Sequence, residues 1–175
     1  YHLLSGAIMQ EAHSDVEVNA LTPPQHLILW VIRTWFRGMA LGEEALPVIE
    51  QSFAATGMPE VIGDVDEFFS MLACGAMGPY SIGCSSCLYL HRFEICVINA
   101  LAAFQQNQWD KATHMLEAYI KPDEAYMAGP PARRFAMTMS AMNWIIHPLI
   151  MAQEEAETPP GAVVIPFPKR PCRKD

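Results

Sequence analysis

Residues 21–38 read LTPPQHLILWVIRTWFRG, and their pattern decides the fold class. Thr22 is a good N-cap, and Pro23 and Pro24 fall in the first turn, where a missing N–H costs nothing. Leu27, Trp30, Val31 and Thr34 recur at helical spacing, and Gly38 is a plausible stop. Outward from this helix the same grammar repeats. The punctuation by Pro, Gly and turn residues predicts helices over 21–37, 43–56, 59–77, 85–106, 110–120 and 131–151. The last begins at Pro130-Pro131 and is kinked or ended by Pro148.

No stretch except AVVI, residues 162–165, alternates as a strand should, and no internal repeat is evident. AFQQNQWDKATHMLEAYI is similar to half of a tetratricopeptide unit, but without recurrence it reads as a plain helical hairpin. The expected fold is therefore all-α: a single-domain bundle of about six helices. Residues 1–20 form a weakly structured lead-in, 21–157 the helical domain, and 158–175 an extended, proline-rich basic arm.

Composition narrows the function classes. With 175 residues, 51% of them hydrophobic, the chain can bury a sizeable core and is not disordered as a whole. No apolar run reaches the roughly 18 residues that a membrane span needs, because Arg33 interrupts HLILWVIRTWF. The first residues lack a basic region and a long apolar core, so no secretion signal is expected. The chain does not open on methionine, which is compatible with a missing N-terminal piece.

The net charge is −8, and four of the eleven basic residues fall in the last seven positions. So acidic a body repels phosphate backbones, and nucleic acid is not expected as a partner. Five cysteines, at 74, 84, 87, 96 and 172, are too sparse for a disulfide scaffold. They imply reduced thiols in a cytoplasm.

The chemical signal is SIGCSSCLYLHRFE, residues 81–94. If a serine capped a helix here, Cys84 and Cys87 would sit at its positive end, which favours a thiolate. At about 100° per residue Cys87 and His91 would share a face, and Glu94 could fix the tautomer of His91. Cys84-x2-Cys87-x3-His91 entering a helix resembles the active-site motif of the alkylhydroperoxidase D and carboxymuconolactone-decarboxylase-like family. That resemblance implies an oligomeric all-α enzyme in which Cys87 is the peroxide-reactive thiol, Cys84 its resolving partner and His91 part of a proton relay. The family's upstream acidic residue has no direct counterpart; Asp66 or Glu67 would have to replace it.

A second chemical reading is structural zinc held by Cys74, Cys84, Cys87 and His91. The plain alternative is that these are small, semi-buried structural cysteines. More widely, residues 22–145 are similar in layout to some small helical bacterial proteins, a likeness that implies no function.

The favoured reading is a non-catalytic helical interaction or regulatory protein with no cofactor. The rivals are a thiol-dependent peroxidase or disulfide reductase using Cys84 and Cys87, and a zinc-binding helical protein. The predicted last helix, with Phe135, Met137, Met139, Met142, Trp144, Ile145, Ile146, Leu149 and Ile150, is apolar on several sides. It must be central or covered. Together with the apolar arm it predicts a homodimer through residues 131–168, the arm wrapping the neighbouring subunit; a protein partner is compatible with the same surface.

Overall fold

The computed structural model describes residues 13–150 and 164–165. Six α-helices dominate: α1 Pro23–Leu41, α2 Leu46–Ala55, α3 Ile62–Gly75, α4 Arg92–Gln105, α5 Trp109–Leu116 and α6 Pro122–Ala141. Short strands join them: β1 His13–Glu17, β2 Tyr80–Ser81, β3 Tyr89–His91 and β4 Val164–Ile165. β1 pairs antiparallel with β3 across a bulge, and β2 pairs antiparallel with β4. "All-α" is therefore approximate. Among the described residues no helix is long and apolar enough to cross a membrane.

The helix packed on every side is α4, not the last one. Ten of its fourteen residues are buried, among them Phe93, Ile95, Val97, Ile98, Leu101 and Phe104. It packs on α5 and α6, and α6 lies along α3. Beside its N-terminus is an aromatic cluster in which Tyr80 stacks on Phe93 at 4.1 Å and Phe36 meets both rings edge-on.

Two helix starts differ from expectation by more than three residues. α4 begins at Arg92 rather than Ser85, because residues 89–91 are taken by pairing with β1. The lead-in is thus partly a strand: Val18 donates its N–H to the Leu88 carbonyl at 2.7 Å, and Ser14 Oγ donates to the Leu90 carbonyl at 2.8 Å. α6 begins at Pro122, with Asp123 and Glu124 at its positive end, so Pro130 and Pro131 lie inside it. The carbonyls those prolines leave without a helical partner belong to Tyr126 and Met127, both exposed, so water can serve them.

Three of the helix ends share one cause. Gly57, Asn107 and Asn143 each take positive φ just past α2, α4 and α6. The next residue folds back in each case: Met58 N–H to the Phe53 carbonyl, Gln108 to Ala103, and Trp144 to Met139, all at 2.8–2.9 Å. This left-handed stop ends α6 seven residues before Pro148.

The chain after α6 is extended and is held by side-chain amides, those of Asn99 and Gln105 half-buried and that of Gln25 buried. Asn99 both donates to the Leu149 carbonyl (3.0 Å) and accepts from its N–H (2.6 Å), and Gln105 accepts from the Ile146 N–H at 2.9 Å. Gln25, which also accepts the Thr22 N–H in a capping box, donates to the His147 carbonyl at 2.6 Å. Residues 144–150 thus behave as an extra strap on α1 and α4. The two described residues of the arm, Val164 and Ile165, pair with β2.

Candidate functional site

The site starts from a charge that no soluble helix should bury unpaired. Arg33 of α1 is 8% exposed, and Glu94 in the first turn of α4 is fully buried. They form a two-pronged pair: Arg33 Nε donates to Glu94 Oε1 at 2.8 Å and Nη2 donates to Oε2 at 3.1 Å. The rest of the guanidinium is spent on the loop between β2 and β3. Nη1 donates to the Cys84 and Cys87 carbonyls, and Nη2 to the Tyr89 carbonyl, all at 3.1 Å. These contacts use all five donors of the side chain.

Glu94 completes the arrangement by accepting the Gly83 N–H at 3.0 Å and the His91 N–H at 2.8 Å. A buried ion pair survives only when its remaining hydrogen-bonding capacity is filled, and here loop backbone fills it. Gly83 is required at its position. A Cβ there would lie 2.7 Å from the guanidinium carbon of Arg33.

The loop so pinned presents the two cysteines. Cys84-Ser85-Ser86-Cys87 is a turn, closed by the Cys87 N–H on the Cys84 carbonyl at 3.1 Å. The Cys84 N–H donates to Cys87 Sγ at 3.0 Å, and Cys84 Sγ lies 3.3 Å from Ser86 Oγ. Both thiols are free; Cys84 is exposed and Cys87 half-buried. Hydrogen bonds from the Cys87 and Ser86 side chains bring the Cys84 pKa down to about 7. Cys87 moves the other way, pushed up by desolvation and by its bond to Cys84. The exposed sulfur is therefore the one that ionises first.

Cys84 and Ser85 also border a pocket of about 410 Å3 between α1 and the α1–α2 connection. His26, Trp30 and Arg37 of α1 line it, as do Glu43 and Glu44 of the connection.

Several sequence expectations are corrected by this geometry. Cys84 and Cys87 are not at a helix N-terminus; the helix dipole acts on Glu94 and not on either thiol. His91 closes β3, N-caps α4 and is fully buried, so it is not one turn along a shared face. Glu94 is engaged with Arg33 and with backbone, not left to orient a histidine ring. Asp66 accepts the Trp35 indole N–H at 2.9 Å and Glu67 pairs with Arg134 at 2.9 Å, so each has another partner.

Cys74 lies at the end of α3. Among the described residues no group of three or more His, Cys, Asp or Glu is arranged to hold a metal ion. Cys96 donates to the Met115 carbonyl at 3.1 Å, and burial pushes its thiol up to about 12. Cys172 lies outside the described residues.

The residue that sequence reasoning missed is Arg33. Its signal was present as the one charge in an apolar helical run, where it looked like an interruption and was in fact half of a buried pair. Comparison with protein-family models, with curated proteins and with solved structures finds no significant match to this chain.

Proposed function

We propose that this chain is a thiol–disulfide redox protein in which Cys84 is the attacking thiol and Cys87 the resolving one. The observation that carries this reading is the turn itself. An exposed sulfur sits beside a second, hydrogen-bonded cysteine on a loop whose carbonyls are anchored to a buried Arg33–Glu94 pair. Such a loop can hold two sulfurs in place while their bonding changes. The assignment reverses the order of roles that the alkylhydroperoxidase D resemblance implies, because exposure and hydrogen bonding favour the thiolate at Cys84.

Thiol titration before and after a stoichiometric disulfide oxidant, followed by peptide mass mapping, tests it. The expected result is loss of two thiols as a Cys84–Cys87 disulfide that dithiothreitol reverses. In Cys87→Ser the expected product is a persistent mixed disulfide at Cys84. Retention of both thiols under oxidant would overturn the reading.

A second reading, a non-catalytic homodimeric or partner-binding protein, draws on the apolar side chains exposed at and after the end of α6. Met142 and Ile145 are nearly half exposed, and Ile150 is 89% exposed. Exposed apolar side chains, where they form a contiguous patch, favour association.

A further inference from the structure

The pocket beside Cys84 carries a second level of chemistry, which rests on the redox reading of the cysteine pair. We propose that it selects low-molecular-weight disulfides of amino-acid type, bearing both a carboxylate and an ammonium group. Cys84 borders the pocket directly, so a mixed disulfide formed on its sulfur has the pocket beside it for the rest of the substrate. A space of about 410 Å3 is of the size that a small molecule fills.

The charges say which small molecule. Two cationic or titratable groups, Arg37 and His26, project from α1, and two carboxylates, Glu43 and Glu44, stand on the α1–α2 connection. All four side chains are exposed, and among the described residues no ion pair joins any of them to another. Opposite charges that line one pocket without neutralising each other make a dipolar site, complementary to a zwitterion. Arg33 lines the same pocket but has no donor left for a ligand. Arg37 is thus the arginine that a substrate carboxylate can use.

The acidic wall is set in place rather than loosely hung. At Gly38 a Cβ would come within 2.6 Å of the Ala45 side chain, so the connection lies directly on α1. Gly42, at φ 70°, supplies the left-handed turn that brings it there. Trp30 and Val48 add apolar surface to the lining.

The chemistry closes without an added co-reactant in a single turnover. The Cys84 thiolate attacks one sulfur of the substrate disulfide. A Cys84–substrate disulfide forms, the substrate S–S bond breaks, and the first thiolate leaves and takes a proton. The Cys87 thiolate then attacks Cys84 Sγ, forms the Cys84–Cys87 disulfide and expels the second thiolate, which also takes a proton. Two electrons and two thiol protons have passed from protein to substrate. An external dithiol such as dithiothreitol returns the pair to its starting state.

The test uses the full reduced chain and four probes. These are cystine (both charges), 3,3′-dithiodipropionate (carboxylates only), cystamine (ammonium only) and 2-hydroxyethyl disulfide (neutral). Single-turnover rates at pH 7 are each normalised to the rate of the same probe with 2-mercaptoethanol. Cystine is expected to exceed the neutral probe by about tenfold, the scale of one charge-assisted contact.

Arg37→Gln should lower the dithiodipropionate-to-neutral ratio by about tenfold. Glu43→Gln/Glu44→Gln should lower the cystamine-to-neutral ratio in the same way, while Lys111→Gln on α5 changes either ratio less than about twofold. A normalised cystine ratio near one overturns the selectivity proposal and leaves the redox pair standing. Equal effects of Arg37→Gln and Lys111→Gln do the same, since they would reflect overall charge. If none of the probes, the neutral one included, oxidises the cysteines, the redox reading fails and takes this inference with it.

Discussion

At the scale of single residues, two neighbouring cysteines have been driven apart in acidity by a few ångströms of context. Cys84 gains hydrogen bonds to its thiolate from Cys87 and Ser86, whereas Cys87 is partly desolvated and gives its bond away. The sign of the linkage follows. The folded Cys84 pKa, about 7, lies below the ordinary thiol value of 9.0, so folding favours the thiolate. Its contribution to stability is complete only in alkaline solution above the unfolded value and is lost as pH falls through about 7.

Alkylation by iodoacetamide, followed residue by residue by mass spectrometry, should therefore rise at Cys84 with a midpoint near pH 7. Ser86→Ala should move that midpoint upward, and Cys87→Ala further, since Cys87 is the larger cause. A wild-type midpoint near that of an ordinary thiol would count against the assigned roles. Gly83→Ala belongs to the same scale. The new methyl collides with the Arg33 guanidinium, and strain of this type costs roughly 1–3 kcal/mol, readable as a lowered urea midpoint.

At the scale of elements, the Arg33–Glu94 pair ties α1, α4 and the cysteine loop into one unit. Removing one partner leaves the other charge buried and uncompensated, so Glu94→Gln or Arg33→Met should cost about 3–5 kcal/mol in chemical denaturation. Loss of under about 1 kcal/mol would mean that the pair is solvated like a surface bridge.

Helix α6 offers an opposed pair of effects at Gly129. Alanine is the better helix former by about 1 kcal/mol, which favours Gly129→Ala. Yet a Cβ there would lie 2.5 Å from the Trp109 ring, and overpacking costs about 1–3 kcal/mol. The clash should win, giving a lower melting temperature despite higher intrinsic helicity; a higher one would show that Trp109 repacks without strain.

At the scale of the whole molecule, the apolar residues at and after the end of α6 predict self-association. Sedimentation velocity at micromolar concentration should show a dimer for the intact chain. A chain ending at Glu157 tests whether the arm takes part, and monomers in both cases would remove the assembly proposal.

The helical class and the number of helices were legible in the residues alone. Caps such as Thr22, first-turn prolines and stops such as Gly57 act through local backbone geometry, which a short window contains. The spacing of Cys84 and Cys87 within residues 81–94 was equally plain in the sequence. What the residues could not show was which partner each group would meet. β1 claims residues 89–91 from some seventy positions away and so delays α4 to Arg92. Half-buried Asn99 and Gln105 turn residues 144–149 from a predicted helix into a strap. Arg33, which reads in sequence as a flaw in an apolar stripe, becomes the post around which the cysteine loop is built. Local propensity is decided within a few residues of chain, but the pairing of a buried charge or amide is decided only where distant segments meet, and only the tertiary structure decides that.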